Sequence, residues 1–445
     1  MIRIPRFTHV SSAQSGSAAY SVVKNAPFSN ETRQQEYSIK AFEEQWEDSD
    51  SVIILTFSGG GTRAAALAYS VMKELRDTIT PHSEGNRTLL DEVTHISSVS
   101  GGSFTAAYYG LHGNGIFDDF EEAFLRRNVQ HALIGRALHP FEWFNSTGRT
   151  EAAAEYYEQI LFKGATFADM RAQAGPLIVI NASDLACGVR FSFVQEYFNL
   201  LCSDLSSFPV SLAVAASSAV PILFNPVVVR NYPDCGSDVP EWLQKARKRT
   251  PENHEIALVV DGVETYFNRE KRKYIHLVDG GLTDNLGLRA IYEVIELAGG
   301  AIEYTRKTGR NALRRIVLIS VNASTDSELE MNMTSDEPSI EETVSALSDI
   351  QLHRYNASTI QLIQDTLRKW ANQLSTPEKP VKGYFIRIGF RDIQEPRLRR
   401  SFNQTPTSFS LTNEQIDSLL KVGGDLLRNN TEYGRLMTDL ESEDG

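Results

Sequence analysis

Ser100, Asp279 and two runs of glycine are the residues of this 445-residue chain whose types and spacing can do chemistry. Ser100 lies in Ser98-Val99-Ser100-Gly101-Gly102, close to the Gly-x-Ser-x-Gly spacing of a nucleophile elbow. In such an elbow small residues two before and two after the serine allow a tight turn that exposes its hydroxyl. Gly102 fits that pattern, and Ser98 stands where the first glycine is expected. Upstream, Ser58-Gly59-Gly60-Gly61-Thr62-Arg63 supplies a glycine loop whose backbone N–H groups can receive negative charge. A hydroxyl nucleophile and a set of backbone donors together suit acyl transfer, which builds charge on a carbonyl oxygen.

The remaining requirement is a base. Asp279 enters a double-glycine turn, Asp279-Gly280-Gly281, at the end of the apolar run Tyr274-Ile275-His276-Leu277-Val278. Asp261-Gly262-Val263 has a similar form but lacks the second glycine and lies in a charged stretch. A Ser, Asp, His order of triad would need a histidine after Asp279, and His353 is the only one. It falls inside a long helical pattern beside Arg354 and Tyr355. Strand alternation turns His276 to the face opposite Asp279, and His95 reads as a packed strand residue.

Each of these groups sits where a strand ends. Ser51–Phe57 is a short β-branched apolar run that reads as a buried strand, and the Ala-rich segment 64–76 after the glycine loop reads as a helix. Val93–Ser97 is a second strand, and a helix starts at Ser103. Further strands are expected at 176–185, 274–279, 315–321 and 384–388, with helices at 341–374 and 413–427. Short apolar strands alternating with helices indicate an α/β fold with a mostly parallel sheet. In such a sheet the C-terminal strand ends gather the active site. Residues 209–221 read as a small-residue helix stopped by Pro221 and packed near the site.

Residues 1–48 are polar and read as an extension. The main domain spans 49–440, a charged surface insertion is expected at about 231–272, and 441–445 form an acidic tail. The basic cluster Trp242–Arg249 reads as a solvated face. The aromatics Phe117, Phe120, Phe124, Phe141, Trp143 and Phe144 suit either core packing or an acyl pocket.

A net charge of -13 and a pI near 5.3 exclude nucleic acid as a partner, since phosphate binding needs a basic face. No apolar run is long enough to span a bilayer and no signal peptide is visible. The three cysteines, Cys187, Cys202 and Cys235, have no metal-ligand spacing. A disulfide between Cys202 and Cys235 is one possibility, three inert thiols the other. A P-loop would need a Lys-Ser/Thr pair after its glycines, absent here.

Taken in order, Ser58–Arg63, Ser98–Gly102 and Asp279–Gly281 resemble the motifs of the patatin-like phospholipases. Asn181-Ala-Ser-Asp184 with Phe191-Ser-Phe193, and Ala215-Ala-Ser-Ser-Ala-Val-Pro221, are similar to that family's supporting segments. The resemblance implies a three-layer sandwich with helices on both faces of a central, mostly parallel sheet. It also implies a lipid acyl hydrolase with a Ser100/Asp279 dyad and no metal or cofactor. The oxyanion hole would come from Gly59, Gly60 and Gly61 with Arg63 in support; Ser98, Gly102, Gly280 and Gly281 would shape the turns. Ser58 departs from the aspartate usual ahead of the three glycines. The expected partners are a phospholipid or other lipid ester and, peripherally, a membrane, with the oligomeric state open. An exported or envelope location is expected for a mature form, otherwise a cytoplasmic one. A catalytically inactive lipid-binding or interaction protein is the alternative.

Overall fold

Connection handedness and hydrophobic burial build the chain into three layers. The computed structural model describes residues 25–28, 36–81, 87–137, 148–221, 223–233, 239–326, 335 and 337–442. Eight strands form the central sheet: β1 (Ser51–Phe57), β2 (Val93–Val99), β3 (Leu177–Asp184), β4 (Val189–Ser192), β5 (Val227–Arg230), β6 (Tyr274–Asp279), β7 (Arg315–Asn322) and β8 (Lys382–Gly389). Their order is β8-β7-β1-β2-β3-β6-β5, with β4 folded back on β3. The pairs from β8 to β3 are all parallel. Of these, β1, β2, β3 and β7 are buried over nearly all their residues, β1, β3 and β7 reading as largely apolar runs, whereas the edge strand β8 alternates between buried and exposed residues.

The crossovers set the layers. The path β1-α2-β2-α3-β3 moves one way across the sheet through helices α2 (Gly61–Asp77) and α3 (Gly101–His112). The path β6-α7-β7-α9-β8 moves the other way through α7 (Leu288–Ala298) and α9 (Ile340–Leu374). Among these, β1-α2-β2, β2-α3-β3 and β7-α9-β8 join parallel strands, and right-handed crossovers running in opposite directions put α2 and α3 on one face and α9, with α7 packed on it, on the other. Between the oppositely directed paths, β1 pairs with β7, and the glycine loop that follows β1 lies at this switch point.

The order also holds the main departure from expectation. Asp279 was placed by analogy with a parallel strand, but β6 runs antiparallel to β3. Because β3 continues past the level of Val99, β6 enters from beyond that edge. Its C-terminus is thereby brought back to it, with Asp279 beside Ala182 and Val99 beside Asn181. The aspartate thus reaches the expected edge by the opposite strand direction.

Two segments are more ordered than their composition implies. Residues 36–48 carry a short helix, α1 (Ile39–Glu43), and bury Tyr37 and Phe42. The Tyr37 hydroxyl donates to the Ile178 carbonyl and accepts from the Ile178 N–H, both at 3.0 Å. It thereby satisfies the part of β3 that β4 does not reach. The insertion is largely helical: α5 (Glu241–Arg249) and α6 (His254–Glu264) bury Leu243, Ala246, Ile256 and Val260. Arg247 of its basic cluster is paired with Asp261 and Glu264, so Asp261 is an ion-pair partner remote from chemistry. Helix α4 spans Val210–Ser217, α8 Ala301–Thr308 and α10 Asn413–Arg428. Phe120 and Phe124 pack in the core with Phe104, whereas Phe141, Trp143 and Phe144 lie outside the described residues. No described helix is long and apolar enough to cross a membrane.

Candidate active site

Ser100 caps the start of α3 with φ 50° and ψ −121°, a backbone conformation that a side-chain-bearing residue adopts only under constraint. Three contacts impose it. Its N–H donates to Ser217 Oγ at 2.8 Å, its carbonyl accepts from Ser103 N–H at 2.9 Å, and α3 is pressed against the glycine loop. A Cβ on Gly101 would stand 2.0 Å from the Gly61 carbonyl oxygen, so only glycine lets the loop and the helix approach this closely. Gly102 meets the end of β1 in the same way, 2.6 Å from Phe57 Cβ. Ser98, at the position of the absent first glycine, is fully buried and its hydroxyl reaches the Val179 carbonyl.

Asp279 is buried at the end of β6 and accepts the Gly281 N–H at 2.7 Å. Burial pushes its carboxyl up to about 6, against the pull of the Gly281 N–H and the Ser100 hydroxyl that faces it. A carboxylate raised in this way is a better proton acceptor than a solvated one. Gly280 packs against the Asn181 carbonyl.

One short turn holds both members. Ser217 Oγ receives the Ser100 N–H and donates to the Asn181 carbonyl at 2.6 Å. The Ser217 carbonyl accepts Gly280 N–H, and the Ala219 carbonyl accepts Asp279 N–H at 2.9 Å. The end of α4 is therefore a bracket between elbow and base. Sequence reading placed this helix near the site without assigning Ser217 a task. A serine in an otherwise apolar small-residue helix was the available signal. Ser217→Ala is expected to lower ester turnover by roughly 10–100-fold, for an unmet N–H worth about 1–3 kcal/mol at the elbow. Steady-state kinetics beside a thermal melt checks this, and unchanged turnover refutes the bracket.

The three glycines are not equivalent. Gly59 N–H is engaged, donating to the Asn285 carbonyl at 3.0 Å, and the glycine itself lies against Ser100. Gly60 and Gly61, with φ 136° and 60°, open α2, where the first N–H groups of a helix have no partner within it. Thr62 N–H is taken by the Ser408 carbonyl at 2.9 Å. Gly60 and Gly61 thus open α2 against the Gly101 turn that carries Ser100. Arg63 is buried behind the loop: Nε reaches the Ala323 carbonyl at 2.9 Å, Nη2 reaches Thr407 Oγ1 at 2.9 Å, and Nη1 reaches the Thr405 carbonyl. It ties the loop to β7 and to segment 405–408. Ser58 completes this tie, its Oγ accepting from Ala323 N–H at 2.9 Å.

His276 is exposed while Asp279 is buried, His95 packs beside Glu43, and His353 lies in α9. Among the described residues no group of His, Cys, Asp and Glu is arranged to hold a metal ion. Cys202 is disulfide-bonded and Cys187 is a free thiol; Cys235 lies outside the described residues. Val220, Leu223 and Leu282, close in sequence to the bracket and to Asp279, expose apolar side chains.

Solved structures of human GIVD cytosolic phospholipase A2 are similar to this chain. One matches at 13% identity and TM-score 0.43, covering 95% of this chain and 68% of that one. Another, in complex with methyl gamma-linolenyl fluorophosphonate, matches at 15% identity and TM-score 0.38, covering 95% and 66%. A third, with that inhibitor and terbium chloride, matches at 14% and 0.39, covering 95% and 65%. The chain thus spans about two thirds of that protein's length. No curated protein matches. The sequence pattern of the patatin-like phospholipases matches residues 55–292, a stretch that contains the glycine loop, the elbow, the bracket and Asp279. The chain belongs to the patatin-like phospholipase family of lipid ester hydrolases.

Proposed function

We propose that this chain is a serine lipid acyl hydrolase of phospholipase A type, working through a Ser100/Asp279 dyad. The observation that carries the reading is the strained Ser100 hydroxyl facing a buried carboxylate raised to about 6, beside the open start of α2. Asp279 takes the hydroxyl proton as Ser100 Oγ attacks the ester carbonyl. The oxyanion is received by the Gly60 and Gly61 N–H groups, each donor of this kind being worth roughly 10²–10³ in rate. Collapse expels the lysolipid alkoxide, which recovers the proton from Asp279 and leaves an acyl-Ser100 ester. Asp279 then deprotonates a water that attacks this ester, releasing the fatty acid and restoring the serine. The exposed Val220, Leu223 and Leu282 favour an apolar substrate at the mouth of the site.

The test is labelling with a fluorophosphonate, wild type beside Ser100→Ala, with peptide mapping of the adduct. Label on Ser100 that vanishes in the variant supports the dyad. A folded wild type that takes no label supports instead an inactive lipid-binding protein. A pH profile gives an independent check. Because Asp279 acts as the carboxylate, kcat/KM is expected to fall tenfold per unit below about pH 6 and to level off above it. A limb near pH 7 that follows a histidine would contradict this base.

A further inference from the structure

One further side chain joins the glycine loop to the Asp279 turn. Asn285 ends the short helical turn Gly281–Asp284 that follows the base. Its carbonyl accepts Gly59 N–H at 3.0 Å, and its Nδ2 donates to Ser324 Oγ at 3.3 Å. Ser324 Oγ also accepts from Asn356 Nδ2 of α9 at 3.3 Å, so the amide is held by its nitrogen end. Oδ1 is left over. No described residue donates to it, and it is not one of the polar atoms sealed without a partner inside the core.

That oxygen lies beside both members of the dyad. A Cβ on Gly59 would stand 2.6 Å from it and 3.3 Å from Ser100 Cβ. A Cβ on Gly281 would stand 3.1 Å from it and 2.9 Å from Asp279 Oδ1. The amide oxygen and the carboxylate oxygen are therefore spaced so that one small molecule over Gly281 can hydrogen-bond to both. With Asp279 ionised, both oxygens only accept. Water has the two protons this needs, one for each oxygen, whereas an alcohol has one.

We propose that Asn285 Oδ1 positions the water that hydrolyses acyl-Ser100, and so selects water over alcohols as the acyl acceptor. The inference rests on the Ser100/Asp279 reading and adds a specificity to it. The water gives one proton to Asp279, holds Asn285 Oδ1 with the other, and bonds the acyl carbon through its oxygen. Collapse breaks the bond between that carbon and Ser100 Oγ, which recovers the proton from Asp279. An alcohol can give its single proton to Asp279 and form a new ester by the same route. Its carbon then faces Asn285 Oδ1, an acceptor with no donor left for it. Without that oxygen the site passes acyl groups to hydroxyl compounds more readily, a transfer activity that the native residue suppresses.

The ratio of transfer to hydrolysis tests this. The full chain is turned over on p-nitrophenyl butyrate in buffered methanol–water, and methyl butyrate and butyrate are quantified. In Asn285→Leu, which keeps the volume and loses the oxygen, the ester-to-acid ratio is expected to rise about tenfold or more, the discrimination that one hydrogen bond to a hydroxyl supports. Asn285→Ala reads the same ratio should the leucine variant not fold. Asn285→Asp keeps an oxygen in place. Its charge alters Asp279, but both acceptors use that base, so turnover falls while the ratio stays near wild type. Loosened packing alone lowers both products together and leaves their ratio where it was. A ratio raised in folded Asn285→Leu or Asn285→Ala and restored in Asn285→Asp supports the assignment. A ratio unchanged in a variant whose Ser100 still takes the fluorophosphonate, or raised as much in Asn285→Asp, overturns it and leaves the dyad standing. A wild type that takes no label and yields neither product overturns both.

Discussion

Asp279→Asn is expected to remove turnover and, above pH 6, to make the protein harder to melt. The loss of rate follows from the proposed chemistry. Asparagine keeps an oxygen for the Gly281 N–H but cannot take the Ser100 proton, and removal of the base that takes a nucleophile's proton costs about 10⁴–10⁶ in kcat. The gain in stability follows from linkage. The folded carboxyl is raised to about 6 from an ordinary 3.8, so ionising it opposes folding. That cost is absent below pH 4, grows as pH rises between those two values and is constant above pH 6. At about 1.4 kcal/mol per unit, it amounts to roughly 3 kcal/mol at most. Melts of wild type and variant at pH 8 and pH 4 check the sign: the variant should melt higher at pH 8, and the difference should vanish at pH 4. A variant that retains turnover, or melts lower at pH 8, refutes the buried-base assignment.

Gly101→Ala should be nearly as damaging by a purely steric route. The added methyl would lie 2.0 Å from the Gly61 carbonyl oxygen and 2.6 Å from Gly61 N, both backbone atoms. Neither can swing aside as a long side chain could, so the glycine loop and α3 must separate. Displacing one oxyanion donor costs roughly 10²–10³ in kcat, and the forced separation adds about 1–3 kcal/mol of destabilisation. The expected result is a folded, less stable protein with at least a hundredfold lower kcat and KM within a few-fold of wild type. Unaltered kcat would mean that Gly60 and Gly61 do not serve the transition state.

These two residues also mark where the sequence was informative. Gly101 and Gly61 stood in runs whose only economical explanation is close backbone approach, and the glycine loop follows one of the most apolar strands, β1. β1 and β7 are buried on both faces, and burial of that kind writes itself into composition. The direction of β6 does not. A six-residue strand has the same pattern whether it runs up or down, and its pairing depends on where β3 ends. Tyr37 and Phe42 were hidden for a related reason: two aromatic anchors in a polar segment leave no periodicity. The task of Ser217 is settled by a contact across 117 residues, which no local pattern encodes.

The tie between Arg63 and the segment 405–408 has a consequence for when this protein becomes active. The groups that fix the glycine loop, Thr405, Thr407 and Ser408, follow it by more than three hundred residues. During synthesis the nucleophile, the bracket and Asp279 leave the ribosome while the loop still lacks its clamp. In the proposed mechanism the oxyanion loop is therefore fixed only once Thr405, Thr407 and Ser408 have been made.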